Sequence, residues 1–295
     1  MPTIIECLDS FEVYLQHERG RKPETITGYR SSLKSLYERY PVNVSDITTD
    51  DLRAYVRHLH MRGLKYRTIE RHRAAFSTFW RWLLMENITL KNPVEFLQLP
   101  KRPPTMPKWL EELDLRKFAE TPDKSEFRSQ RKRNECAWLM LALMGLRRSE
   151  VINLRVRDVM LRSKLIAIRQ SKADGERILP MPDILRARLK RQIADKSPET
   201  LVFIGNGGGK WSLHSFSRQF KAHARYCGLP TWVTPHTIRH SYATNLIRRG
   251  ASIFDVQKML GHKDIKTTSI YLHISPDHLR GAAEMHILSE RSYSV

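Results

Sequence analysis

The chain has 295 residues, enough for two domains with separate cores, and carries 51 Lys plus Arg against 31 Asp plus Glu, a formal charge of +20. Such a positive field draws in polyanions, and nucleic acid is the commonest one for a soluble basic chain, whereas the longest uninterrupted apolar run, Ala137 to Leu146, is too short for a bilayer core of about 30 Å. The N-terminus lacks the basic start and long apolar core of a secretion signal, and Cys7, Cys136 and Cys227 lie far apart without metal-type pairing, so the chain reads as cytoplasmic, with reduced thiols, no disulfide frame and no zinc knuckle.

In chain order the first hundred residues predict helices throughout. Ile5, Leu8, Phe11, Tyr14 and Leu15 recur at spacings of three and four, as do Ile26, Tyr29, Leu33, Leu36 and Tyr37, so each segment carries one apolar stripe. Pro23 suits a first helical turn, and Thr48-Thr49-Asp50-Asp51 offers a cap with acids in the opening turn of a third helix. A fourth runs from about Tyr66 to Met85, with Phe76, Phe79, Trp82 and Leu83 inward and Arg71, Arg73 and Arg81 available on the other side. These form a bundle of four or five helices whose basic side chains suit a phosphate backbone, although a charged helix face is ordinarily just solvated.

Four prolines, Pro100, Pro103, Pro104 and Pro107, then interrupt the pattern and favour an extended connector. The expected organisation is a helical domain over 1–98, a linker over 99–108 and a second domain over 109–295. After the linker, Leu110 to Ala119 and Glu135 to Met144 predict helices. Lys164 to Arg169 and Arg177 to Pro180 predict a hairpin, turning at Asp174-Gly175. Helices resume at about Ile184 to Ala194, Leu213 to Tyr226, His236 to Arg249, Ile253 to Leu260 and Ile265 to Ile270. The fold class is thus mainly α with a small antiparallel sheet. Gly205 to Lys210 resembles a phosphate loop but fails its spacing, and Trp211 stands where a hydroxyl is needed, so it reads as a mobile turn.

The richest stretch runs from Thr234 to Tyr271 and holds His236, Arg239, His262 and Tyr271. Transfer of a phosphodiester needs in-line attack and stabilisation of charge growing on the non-bridging oxygens. Arginine suits that charge, because its guanidinium stays protonated and offers a planar fork to paired oxygens. A tyrosine can attack and hold the phosphate covalently, provided the site helps remove its proton. A lysine on a flexible hairpin can return a proton to the leaving sugar oxygen, and neither metal nor nucleotide cofactor is needed.

Gly145-Leu146-Arg147-Arg148-Ser149-Glu150-Val151, His236 through Thr244, Leu260-Gly261-His262 and Tyr271 closely resemble the boxes of the tyrosine recombinases, above all the compact Xer and phage-integrase type. The resemblance extends over almost the whole chain. It implies an N-terminal helical core-binding (SAM-like) domain and a C-terminal catalytic domain. It makes Arg147 the first catalytic arginine with Glu150 in support, Lys172 the hairpin lysine, His236, Arg239 and His262 the remaining clamp, and Tyr271 the nucleophile. Arg148 competes with Arg147, since neighbours on a helix point about 100° apart and only one can face the phosphate. His236 and Arg239 are expected to share a helical face, with His240 pointing elsewhere. Gly261 is expected to let the backbone approach DNA closely. Tyr242 falls where the family packs an aromatic, and Met144 replaces a common threonine.

The resemblance further implies a 3′-phosphotyrosyl intermediate, a Holliday junction, and a homo-tetramer on two double-stranded DNA sites in the nucleoid, alone or with a related recombinase or accessory protein. The segment from Ser275 to Leu288 resembles the C-terminal helix that docks on a neighbouring protomer. A first helix starting almost at Met1 leaves no room for an arm-binding domain. The rival readings are a type IB topoisomerase and a non-catalytic DNA-binding regulator. Target sequence, and the choice between integration, excision and resolution, are not legible in these residues.

Overall fold

The computed structural model describes residues 1–100, 108–125, 128–169, 176–262 and 268. The chain divides into two compact units, Met1–Pro104 and Thr105–Val295.

The first unit is built from α1 (Ile4–His17), α2 (Pro23–Arg39), α3 (Thr49–Met61) and α4 (Tyr66–Met85). Local chemistry sets their starts. Thr3 and Glu6 form a capping box, as do Thr48 and Asp51, whose carboxylate accepts from Thr48 N at 2.9 Å while Thr48 Oγ1 accepts from Asp51 N at 3.2 Å. Pro23 opens α2, where its missing N–H costs nothing. The apolar stripes converge on an aromatic core of Phe11, Tyr14, Phe76, Phe79, Trp80 and Trp82, with Phe11 and Phe79 edge to face at 5.1 Å. Each such side chain contributes about 1.5–3 kcal/mol by leaving water. Arg73 departs from expectation: its Nε donates to Leu97 O at 2.8 Å, so it ties the chain after α4 back onto the bundle instead of facing outward.

The second unit contains α5 (Glu112–Glu120), α6 (Arg128–Met144), α7 (Arg148–Asn153), a short 3-10 turn at Val156–Asp158, β1 (Val159–Met160), β2 (Leu165–Ile168), β3 (Arg177–Pro180), α8 (Asp183–Ile193), α9 (Leu213–Tyr226), α10 (Pro235–Arg248) and α11 (Ile253–Leu260). Helix α6 is its central post, buried on nearly every side from Arg133 to Met144. It begins seven residues before the sequence pattern announces it, because that first part is polar and lacks apolar periodicity. Arg133 is nevertheless buried there, donating to Ile204 O at 2.9 Å and Gln219 Oε1 at 2.7 Å with its guanidinium 4.0 Å from the Trp211 ring centroid.

The sheet is antiparallel in the order β1-β2-β3, with Ile166 opposite Leu179 and Ile168 opposite Arg177. Strand β1 was not expected, since two residues are too few to show alternation. The expected turn at Asp174-Gly175 and most of the expected helix over 265–270 lie outside the described residues. Gly205 to Lys210 forms the expected turn, a hairpin: Gly205 N donates to Gly209 O at 2.7 Å, and Ile204 bridges Lys210. Among the described residues no helix is long and apolar enough to cross a membrane, and no group of three or more His, Cys, Asp or Glu is placed to hold a metal ion. All three cysteines are free and buried.

Candidate functional site

Helix α6 ends at Gly145, whose φ of +58° turns the chain into the left-handed region and swings Leu146 and Arg147 back toward the core. Arg147 is the N-cap of α7, with φ −71° and ψ 147°, and not a residue within the helix. The two arginines are therefore set apart by a change of backbone conformation between them, not by the 100° helical step. Arg148 donates to Ser217 Oγ on α9 at 2.8 Å. Arg147 Nη1 donates to Glu150 Oε1 at 2.9 Å, and its backbone N–H donates to Oε2 at 2.8 Å. Its side chain keeps 29% of its surface exposed, so it is held but reachable.

Arg239 arrives on α10, which Thr234 caps and Pro235 opens. It is buried, at 3% exposed, and both terminal nitrogens are engaged: Nη1 donates to Gly145 O at 2.8 Å and Nη2 to Leu260 O at 2.6 Å. Those two carbonyls end α6 and α11, so this one guanidinium joins segments more than a hundred residues apart. His236 does not share its burial. It is exposed, and with Arg147, Arg148, Ser149, Thr234 and Pro235 it lines one cleft. Its near neighbour is His240, one helical turn on, with ring centroids 5.5 Å apart; His240 therefore lies on the same side as His236 rather than elsewhere. Burial first, then the charges of His236 and Arg239, push the His240 ring down to about 4.

Helix α11 stops at Gly261, a left-handed C-cap with φ +66°. A Cβ there would stand 2.8 Å from Arg177 Nη1, so the Arg177 guanidinium packs closely against this left-handed turn. His262 follows, with its N–H on Gln257 O at 3.2 Å and its Nδ1 paired with Thr268 Oγ1 at 2.9 Å. Its ring is lowered to about 4, by burial and then by the charges of Arg239 and Arg147. It is thus neutral near pH 7, and the preceding carbonyl, Gly261 O, accepts from Arg147 Nη2 at 3.4 Å.

Arg147, Glu150, Arg239 and His262 are thereby gathered at one place, with His236 beside Arg147 at the cleft. Lys172, Tyr271 and the segment from Ser275 to Leu288 lie outside the described residues. Tyr242 packs against Gly145 and donates weakly to Met259 Sδ at 3.8 Å; burial pushes its phenol up to about 12. One participant escaped the sequence reading. Arg177, taken only as a strand residue, makes a two-pronged ion pair with Glu150 at 3.1 and 2.9 Å. Its one visible signal was a charge at the first position of an otherwise apolar return strand.

Residues 108–278 match the phage integrase family, and residues 8–87 match the phage integrase N-terminal SAM-like domain. The chain is 29% identical to tyrosine recombinase XerC of Bacillus licheniformis over 97% of both chains. It is 30% identical to tyrosine recombinase XerD of Staphylococcus saprophyticus, over 95% of this chain and 97% of that one. Among solved structures, the Tn1549 transposon integrase in complex with a circular intermediate DNA shares the fold with a TM-score of 0.78 at 19% identity, over 96% of this chain and 99% of that one. A crystal structure of XerA recombinase covers the same shares at 26% identity and a TM-score of 0.52. Helical bundle, small sheet and family match together place the protein among enzymes that exchange DNA strands. The chain belongs to the phage integrase family, the tyrosine recombinases, and its activity is site-specific DNA recombination.

Proposed function

We propose that this protein cuts and rejoins double-stranded DNA at a specific site with Tyr271 as nucleophile. The Tyr271 hydroxyl attacks the scissile phosphorus as a basic group of the site takes its proton, forming a 3′-phosphotyrosyl bond and breaking the bond to the 5′-oxygen, which leaves with a proton from Lys172. Arg147, Arg239, His236 and His262 stabilise the charge on the non-bridging oxygens. The 5′-hydroxyl of a partner duplex then attacks the linkage and releases the tyrosine, and a second exchange resolves the Holliday junction. The bond energy is conserved in the phosphotyrosine, so the cycle needs no nucleotide.

The observation that carries this reading is the convergence of Arg147, Arg239 and His262 through Glu150 and the carbonyls of Gly145, Leu260 and Gly261. Two guanidinium groups brought this close repel one another, so their proximity costs energy that a merely basic surface has no reason to spend. Residues 1–98 serve as the core-binding domain, 99–108 as connector and 109–295 as the catalytic domain. The working form is a homo-tetramer on two DNA sites, alone or with a related recombinase or accessory protein, acting in the nucleoid. The segment from Ser275 to Leu288 serves to dock on a neighbouring protomer.

A nicked suicide duplex, made from the sequence the protein protects beside its own gene, tests the nucleophile. Wild-type protein is expected to form a covalent adduct and Tyr271→Phe none, with unchanged DNA binding. Cleavage by the phenylalanine variant would remove Tyr271 from its role. Relaxation of supercoils without a site, and without strand exchange, would favour a topoisomerase instead.

A further inference from the structure

Arg177 belongs to none of the sequence boxes, yet it bonds directly to two parts of the site's framework, Glu150 and Met259. It opens β3 opposite Ile168, so the connection that contains Lys172 begins and ends on this strand pair. Its side chain is only 12% exposed. Nη1 donates to Glu150 Oε1 at 3.1 Å, Nη2 donates to Glu150 Oε2 at 2.9 Å, and Nε donates to Met259 O at 3.0 Å. One rigid fork therefore grips both the carboxylate of α7 and the last turn of α11.

Among its bonds to described residues, Glu150 accepts two from Arg177 and two from the side chain and backbone of Arg147, so both oxygens are engaged. Arg239 stays 3.9 Å from the nearer oxygen and gives its donors to the Gly145 and Leu260 carbonyls. Burial pushes the Glu150 carboxyl up, but the hydrogen bonds and charge of Arg177, the Arg147 N–H and the charge of Arg239 hold it below its ordinary value. Without Arg177 this buried carboxylate loses two partners and must find others. The nearest are Arg147 and Arg239, which it would draw away from a phosphate. The Gly261 turn would lose its floor at the same time, since the Arg177 guanidinium lies directly against it.

We propose that Arg177 is a positioning residue of the strand-transfer site, whose paired hydrogen bonds to Glu150 and single bond to Met259 hold Arg147, Arg239 and His262 in register. The proposal rests on the strand-transfer reading above. Arg177 touches no reacting atom; it acts through Glu150 and the Met259 to His262 turn.

The test compares Arg177→Met, Arg177→Lys and wild type, each also in a Glu150→Gln background, by single-turnover adduct formation at saturating protein on the nicked suicide duplex. DNA affinity and the NMR titration of the His262 ring are measured in parallel. Arg177→Met is expected to slow adduct formation about 100-fold with little change in affinity, the scale of a roughly 1 Å misplacement. Arg177→Lys should recover part of that loss by restoring charge, and with Glu150→Gln present the methionine should cost far less, because the pair acts as a unit. The His262 ring is expected to move in Arg177→Met without DNA. Adduct formation at the wild-type rate, or losses of rate and affinity in equal measure that lysine does not relieve, would overturn the proposal. If wild-type protein forms no adduct, the strand-transfer reading falls; the DNA-free His262 signal then decides the positioning claim, for it if the ring shifts in Arg177→Met and against it if the ring does not.

Discussion

Replacing Gly145 by alanine should be among the most damaging single-methyl changes in the second unit. Its φ of +58° costs an L-residue about 1–2 kcal/mol. The added Cβ would stand 2.4 Å from Tyr242 Cδ1 and 3.0 Å from Cε1 and Cγ, well inside contact. Tyr242 is 7% exposed and packs with Ile247, Val256 and Leu260, so its ring cannot shift without disturbing that cluster. Overpacking of this kind costs about 1–3 kcal/mol, and the two effects sum to about 2–5 kcal/mol. Gly250 supplies the control: its φ is +87°, but nothing lies within 4 Å of its would-be Cβ, so Gly250→Ala reads the backbone cost alone. Urea unfolding of both variants separates the terms. Because the Gly145 carbonyl accepts from Arg239, Gly145→Ala should also slow adduct formation, whereas Gly250→Ala should not. If the two alanines destabilise equally, the Tyr242 contact does not constrain this turn.

Other outcomes follow from the same geometry. Arg147→Ala should reduce adduct formation by about 10²–10³-fold, the scale for losing one preorganised donor, while Arg148→Ala should leave the rate near wild type because its partner is Ser217. The reverse order would reassign the site. Stability should fall on acidification: the rings of His72, His240 and His262 are each lowered from 6.5 to about 4, chiefly by burial, so the unfolded chain binds more protons in that window. The stabilisation is full above about pH 6.5 and lost as pH falls toward 4. A urea midpoint that rises over that interval would contradict the burial of these rings, and His72→Gln should flatten the slope by removing the first unit's share.

How much of this was legible beforehand depends on the range over which each feature is encoded. Helix α4 and the capping box at Thr48 could be read directly, because apolar spacing and a cap's hydrogen bonds involve residues within one or two turns. The first turns of α6 could not, because the burial of Arg133 depends on Ile204 and Gln219, some seventy to ninety residues away. The two-residue strand β1 escaped for a different reason, being shorter than the period that would announce it.

The site divides in the same way. The order and spacing of its boxes, and hence the family, were present in the chain as a string, since each box is a short run whose residue types the chemistry requires. That the two adjacent arginines take different partners depended on Arg147 capping α7 instead of lying within it, and the close packing at Gly261 depended on a guanidinium arriving from β3. Arg177 is the clearest case. An isolated arginine on a strand is unremarkable until folding brings it within 3.1 Å of a carboxylate twenty-seven positions earlier, and a pairing across that span follows only from how the strand and two helices close on one another.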